Sequence, residues 1–277
     1  MFSENPGPIG VFDSGYGGLT ILHEIRQLLP QYDYMYLGDN ARAPYGSRSF
    51  EVVYKFTRQA VLKLFEQGCH LVILGCNTAS AKALRSIQHR VLPELCPDRR
   101  VIGIIRPTAE SISELTTTRH IGILATEGTI RSRSYELEIE KQAPDVKVSG
   151  QACPLWAAIV EANEADSPGA DYFVKKRIDQ LMLQDPNIDA IVLGCTHYPL
   201  LMRSIVRNCP PGVRIVPQGA YVANSLKDYL ARHPEMEAKC TKRGTCRYLT
   251  TESEERFKEC AQIFLNEKVD AENVTLE

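Results

Sequence analysis

The 277 residues carry a net charge of −2, so the chain lacks the basic footprint that nucleic acid or an anionic membrane requires of a partner. Hydrophobic residues make up 44%, enough for a globular core, but no apolar run approaches the roughly 18 residues that span a bilayer. The polar start Met1-Phe-Ser-Glu-Asn-Pro-Gly-Pro8 has no secretory character, so the expectation is a cytoplasmic protein with a small soluble substrate, its nine cysteines mostly free thiols.

Aliphatic runs alternate with amphipathic stretches, the pattern of a doubly wound parallel α/β sheet. The first predicted strand, Ile9 to Phe12, runs into Asp13-Ser14-Gly15-Tyr16-Gly17-Gly18. Three glycines after a strand suggest a phosphate loop, yet no Gly-Lys-Ser/Thr ending follows and the Rossmann spacing is missing. We read instead a loop whose backbone approaches a small ligand, with Asp13 as a carboxylate at the strand end; the alternative is a turn or cap residue. Strands follow at Tyr34 to Leu37, at Leu71 to Leu74, which ends in Gly75-Cys76-Asn77-Thr78, and at Val101 to Ile105.

A second set then repeats the first in order: Ile121 to Ala125, Val146 to Ser149, Ala190 to Leu193 and Arg214 to Val216. Ile9-Gly-Val-Phe-Asp13 matches Ile121-Gly-Ile-Leu-Ala125, and the Gly75-Cys76 turn matches Gly194-Cys195. This predicts an internal duplication, two similar parallel-sheet domains facing each other across a cleft. The alternative is the weak self-likeness of any βα chain.

Cys76 and Cys195 therefore each sit where a buried parallel strand stops, which is where open α/β sheets bind ligands. Asn77, Thr78 and Ser80 are capping residues and Pro199 suits a first helical turn, so both thiols are expected at helix N-termini. That position lowers a thiol pKa from about 8.5 toward neutrality and favours a carboxylate ligand. Inverting a carbon centre requires proton removal from one face and delivery to the other. One thiolate and one opposed thiol meet that need, and no lysine stands in a motif suited to a pyridoxal Schiff base.

Six motifs together, in this order, resemble glutamate racemase of the aspartate/glutamate racemase superfamily: Gly10-Val-Phe-Asp13-Ser14-Gly-Tyr-Gly-Gly-Leu-Thr20, Gly38-Asp39-Asn-Ala-Arg-Ala-Pro-Tyr45-Gly46-Ser47, Cys76-Asn77-Thr78-Ala-Ser-Ala81, Ala125-Thr-Glu-Gly-Thr129, Ala152-Cys-Pro-Leu155 and Gly194-Cys195-Thr196-His197-Tyr-Pro-Leu-Leu201. The resemblance implies a racemase without cofactor or metal, a role in supplying D-glutamate for peptidoglycan, and a homodimer. It implies Cys76 and Cys195 as paired acid and base, and substrate contacts at Asp13, Ser14, Tyr45, Gly46, Asn77, Thr78, Thr196 and His197. It also implies one domain from residues 1–98 plus 212–277 and another from 99–211. Asp13 on one side and Glu161 or His197 on the other are candidates to tune the thiols, against bland readings of Glu161 as an exposed helical glutamate and His197 as a structural histidine.

The chain departs from the family pattern at Gly75, at Arg106-Pro-Thr108 and at Pro217-Gln218-Gly219, and resembles it little beyond about Leu230. Cys240 and Cys246 flank a Gly turn that could bind metal or oxidise, but no second pair or nearby histidine completes a zinc site. An aspartate or other small-acid racemase is the alternative enzyme. A non-catalytic binder or a thiol redox module is the alternative class, the latter without the Cys-x-x-Cys arrangement such dithiols use.

Overall fold

The computed structural model describes residues 2–277. Ten strands form two sheets, every pair parallel. The first holds β1 (Ile9–Asp13), β2 (Tyr34–Gly38), β3 (Leu71–Leu74), β4 (Arg100–Gly103), β9 (Cys246–Thr250) and β10 (Ala271–Asn273), in the order β10-β9-β2-β1-β3-β4. The second holds β5 (His120–Ala125), β6 (Lys147–Ala152), β7 (Ala190–Gly194) and β8 (Arg214–Val216), in the order β6-β5-β7-β8. Taking β5 to β8 as counterparts of β1 to β4, both sheets share the order second-first-third-fourth, as the repeat in the sequence predicts.

The central strands β1, β3 and β7 are buried along their whole length, which is why they read as continuous aliphatic runs. Each sheet is covered on both faces. One face of the first sheet packs Ile9, Val11, Leu71 and Ile73 against Leu19, Leu22 and Leu226, and the other packs Phe12, Val72 and Leu74 against Val61 and Leu64. The second sheet does the same with Ile191 and Leu193 on one side and Ile121, Ile123 and Val192 on the other. Each fully buried aliphatic side chain contributes about 1.5–3 kcal/mol, so these layers hold the strand ends in place.

The expected limits at 98/99 and 211/212 are shifted by strand pairing. Val101 and Ile102 pair with Val72 and Ile73, so Arg100–Gly103 belongs to the first sheet. Ile215 and Val216 pair with Ile191 and Val192, so Arg214–Val216 belongs to the second. The chain crosses between sheets after Gly103 and returns after Val216. The segment beyond Leu230, where the motifs end, adds β9 beside β2 and β10 outside it. Its helix Glu254–Leu265 brings Phe264 edge-on to the His197 ring, with centroids 5.3 Å apart. No helix among the described residues is long and apolar enough to cross a membrane.

Candidate active site

Cys76 follows β3 after Gly75, and its own side chain caps the helix Asn77–Lys82: Sγ accepts from the Ala79 N–H at 3.4 Å. The cap is thus the thiol and not Asn77, Thr78 or Ser80. Ser14 Oγ, from the loop after β1, lies 3.3 Å from the same sulfur. Asp13 at the end of β1 is fully buried, its Oδ1 accepting from the Gly15 N–H at 2.8 Å. Burial pushes the Asp13 carboxyl up to about 6, against the opposing pull of the His197 charge and the Gly15 and Gly18 N–H groups. Burial first, and then the neighbouring Asp13 charge, push the Cys76 thiol up to about 12. This corrects the expectation of a lowered thiol: six residues of helix do not offset desolvation and an adjacent carboxylate.

Cys195 follows β7, but no α-helix begins at once. A 3₁₀ turn, Tyr198–Leu201, with Pro199 in its first turn and His197 as its N-cap, precedes the helix Met202–Asn208. The expected helix N-terminus is therefore displaced, and the neighbour that matters is His197. Its Nδ1 lies 3.8 Å from Cys195 Sγ and its Nε2 lies 2.8 Å from Glu161 Oε1. Burial favours the neutral ring, but the hydrogen bonds to Cys195 and Glu161 outweigh it and push His197 up to about 10. As an imidazolium it donates to both. Glu161 closes the helix Trp156–Glu161 and turns toward the site instead of standing free in solvent.

The two cysteine loops are built against one another. A Cβ on Gly17 would collide with Thr196 Oγ1 and His197 Nδ1, so only glycine lets the loop after β1 come this close to the loop after β7. Thr20 Oγ1 donates to the Thr196 carbonyl at 3.0 Å. Thr78 Oγ1 meets Thr126 Oγ1 at 2.9 Å and Thr129 Oγ1 at 3.4 Å, and the Gly128 N–H donates to the Gly46 carbonyl at 2.8 Å. These contacts join the lips of the cleft from opposite sheets.

Asp13, Ser14, Cys76, Asn77, Thr78, Cys195, Thr196, His197 and Glu161 thus come together. Tyr45 is the partial exception: its ring packs on Phe12 and Phe56 and its hydroxyl donates to Asp39 Oδ2, so at the lip Tyr45 and Gly46 present backbone. Sequence reasoning missed Tyr135, whose hydroxyl donates to Asn77 Oδ1 at 2.7 Å, and Gln218, whose Oε1 accepts from Asn77 Nδ2 at 2.8 Å. Thr126 and Thr129 lay in a quoted motif without a role. Cys240 is a core residue whose Sγ donates to the Met236 carbonyl at 3.4 Å, and the partly buried Cys246 packs against the same hydrophobic cluster. No group of three or more metal-ligating side chains occurs among the described residues.

Comparison with known proteins agrees with this architecture. The family model described as Asp/Glu/Hydantoin racemase matches residues 17–226. A glutamate racemase of Ruegeria sp. (strain TM1040) is 39% identical over 272 residues, spanning 94% of this chain and 97% of that protein. One from Paracoccus denitrificans (strain Pd 1222) is 38% identical with the same coverage. Among solved structures, glutamate racemase isoform RacE1 from Bacillus anthracis superposes with a TM-score of 0.88 at 33% identity, covering 98% of both chains. The glutamate racemase from Francisella tularensis in complex with D-glutamate gives 0.87 at 31% identity, again over 98% of both chains. By sequence and by fold the chain belongs to the Asp/Glu/Hydantoin racemase family.

Proposed function

We propose that this protein interconverts L- and D-glutamate by a two-thiol mechanism that uses no cofactor. The observation that carries the reading is the pair of Gly-Cys strand ends, one from each half of a duplicated fold, each with its own ionisable neighbour, Asp13 for Cys76 and His197 for Cys195. In one direction the Cys195 thiolate removes the Cα proton: the C–H bond breaks, an S–H bond forms, and the electron pair passes into the substrate carboxylate as an enolate. The Cys76 thiol then delivers its proton to the opposite face of Cα. The reverse direction exchanges the roles.

The electrostatics suit this starting state. The His197 imidazolium, held by Glu161, faces Cys195 and stabilises negative charge on its sulfur, while burial beside Asp13 keeps Cys76 a thiol. Asp13, poised near 6, can take the Cys76 proton when that sulfur must act as base. Acid–base transfer supplies about 10²- to 10⁴-fold, so preorganised donors must stabilise the enolate. The first-turn N–H groups of Asn77 and Thr78, the backbone at Gly46, and Thr196 are the groups we assign to the carboxylates, with Ser14 beside the reacting sulfur.

Glutamate is favoured over aspartate by the relatives at 38–39% identity, all named glutamate racemase. The same reading places the protein in the cytoplasm as a homodimer, with D-glutamate passing to peptidoglycan precursors. Circular dichroism of L- or D-glutamate incubated with the purified protein tests it. The wild type should bring both to the racemate, and Cys76→Ser and Cys195→Ser should each lose inversion in both directions. Enantiomers have equal free energy, so kcat/KM must fall equally from either hand. Aspartate inverted faster than glutamate would move the assignment to another small acid.

A further inference from the structure

We propose that Gln218 is a positioning residue that fixes the carboxamide of Asn77 in one orientation, with an N–H toward the substrate; the inference deepens the racemase reading and rests on it for the identity of that substrate. Gln218 is buried two residues past the end of β8, where the chain returns to the first half. Its Nε2 donates to the Ile104 carbonyl and to Thr108 Oγ1, both at 3.1 Å. Ile104 lies where the chain leaves the first half, so one side chain ties the outward crossing to the returning one.

The direction of this network is forced. A backbone carbonyl only accepts, so the Gln218 nitrogen must face Ile104. The Thr108 hydroxyl turns its proton toward the same carbonyl, which leaves its oxygen free to accept from Gln218. Gln218 Oε1 is therefore the atom that meets Asn77, and the Asn77 atom facing it must be Nδ2. Asn77 Oδ1 in turn accepts the Tyr135 hydroxyl proton. With both ends of its carboxamide specified, Asn77 cannot flip, and the second N–H on Nδ2 has no acceptor among the described residues.

The position of that N–H is what makes the network more than packing. Asn77 adjoins Cys76 on one half, while Tyr135 belongs to the helix Ser134–Gln142 of the other. The Tyr135 ring backs onto Gly194, next to Cys195, where Cε2 would lie 3.1 Å from any Cβ. The chain Ile104–Gln218–Asn77–Tyr135 thus runs from the crossing points to both thiol loops, and it presents one oriented donor between them. An oriented donor that strengthens as enolate charge develops lowers the barrier, whereas a flipped carboxamide would present an acceptor to a carboxylate.

The test is a mutant cycle with a second readout. Gln218→Met keeps the length of the side chain and removes its hydrogen bonds; in the wild-type background it should lower kcat/KM about tenfold, the size expected for one oriented donor. In an Asn77→Ala background the same substitution should change kcat/KM by less than about twofold, because the group it orients is gone. Tyr135→Phe should behave in the same way. An equal loss in both backgrounds, or none in the wild type, overturns the inference.

The side-chain NH₂ resonance of Asn77, identified by its absence in Asn77→Ala, supplies the independent readout. It should be slow to exchange with solvent in the full-length protein and lose that protection in Gln218→Met. Unchanged protection contradicts the role of Gln218 even if the kinetics change. If the wild type fails to invert glutamate, the substrate reading fails, and the resonance still decides whether Gln218 orients Asn77.

Discussion

At Cys195 the decisive neighbour is His197, and its charge depends on Glu161. Burial alone would keep the ring neutral; the hydrogen bonds to Cys195 and Glu161 hold it protonated up to about 10. Because that value lies above the ordinary one, the stabilisation is complete below about 6.5 and is lost as pH rises through about 10. Glu161→Gln should therefore move the alkaline limb of kcat downward by at least about one pH unit, the scale of a charge-assisted hydrogen bond. A limb at its wild-type position would remove His197 from the charge balance of the site. Asp13 has the same pH sense for a different reason, since here it is the neutral form that the fold favours. Its carboxyl, pushed up by burial to about 6, favours the fold when protonated, and that contribution is lost as pH rises through about 6. Asp13→Asn should thus stabilise the protein at pH 8 by up to about 3 kcal/mol while slowing turnover. The gain should vanish near pH 4, as denaturant unfolding at the two pH values would reveal. The two cysteines were legible because their strand-end setting occurs twice. The direction of the Cys76 shift was not, since burial and the approach of Asp13 arise only in the folded chain. Tyr135, in the first turn of the helix Ser134–Gln142, carries no local signature.

Among elements, the strands were the most legible and the short helices after them the least. Eight predicted strands are present because fully buried parallel strands must be aliphatic and β-branched over their length. After Cys195 a Pro at position 199 is compatible with either an α-helix or a 3₁₀ turn, and packing of Tyr198 and Leu201 into the core goes with the latter. After Cys76 the sulfur itself takes the capping role that Asn77 and Thr78 were equally suited to fill. The meeting of the β1 and β7 loops rests on Gly17, a position where backbone sterics allow any residue but the neighbours do not. Gly17→Ala should force Thr196 and His197 away from Asp13 and lower kcat at least tenfold, with kcat more affected than the melting temperature. Wild-type kinetics in this variant would mean that the two loops need not touch for turnover.

For the whole molecule, the duplication read from the sequence reappears as two sheets of one strand order, each ending in its cysteine. The limits of the halves were misplaced by one strand each way, because β4 and β8 end their sheets and only pairing assigns an edge strand to its neighbour. The contribution of the segment after Leu230 was hidden as well. Its strands extend the first sheet, and its Phe264 rests on His197, so it supports the site without a recognisable motif. The central claim is that two thiols on opposite faces of Cα divide the work. The most direct measurement is the early course of L-glutamate turnover in D₂O, with deuterium at Cα read separately in each hand. The account predicts D-glutamate fully labelled from the first time points and recovered L-glutamate still unlabelled. Label entering both hands together, or D-glutamate that retains the original proton, would mean that a single base serves both faces.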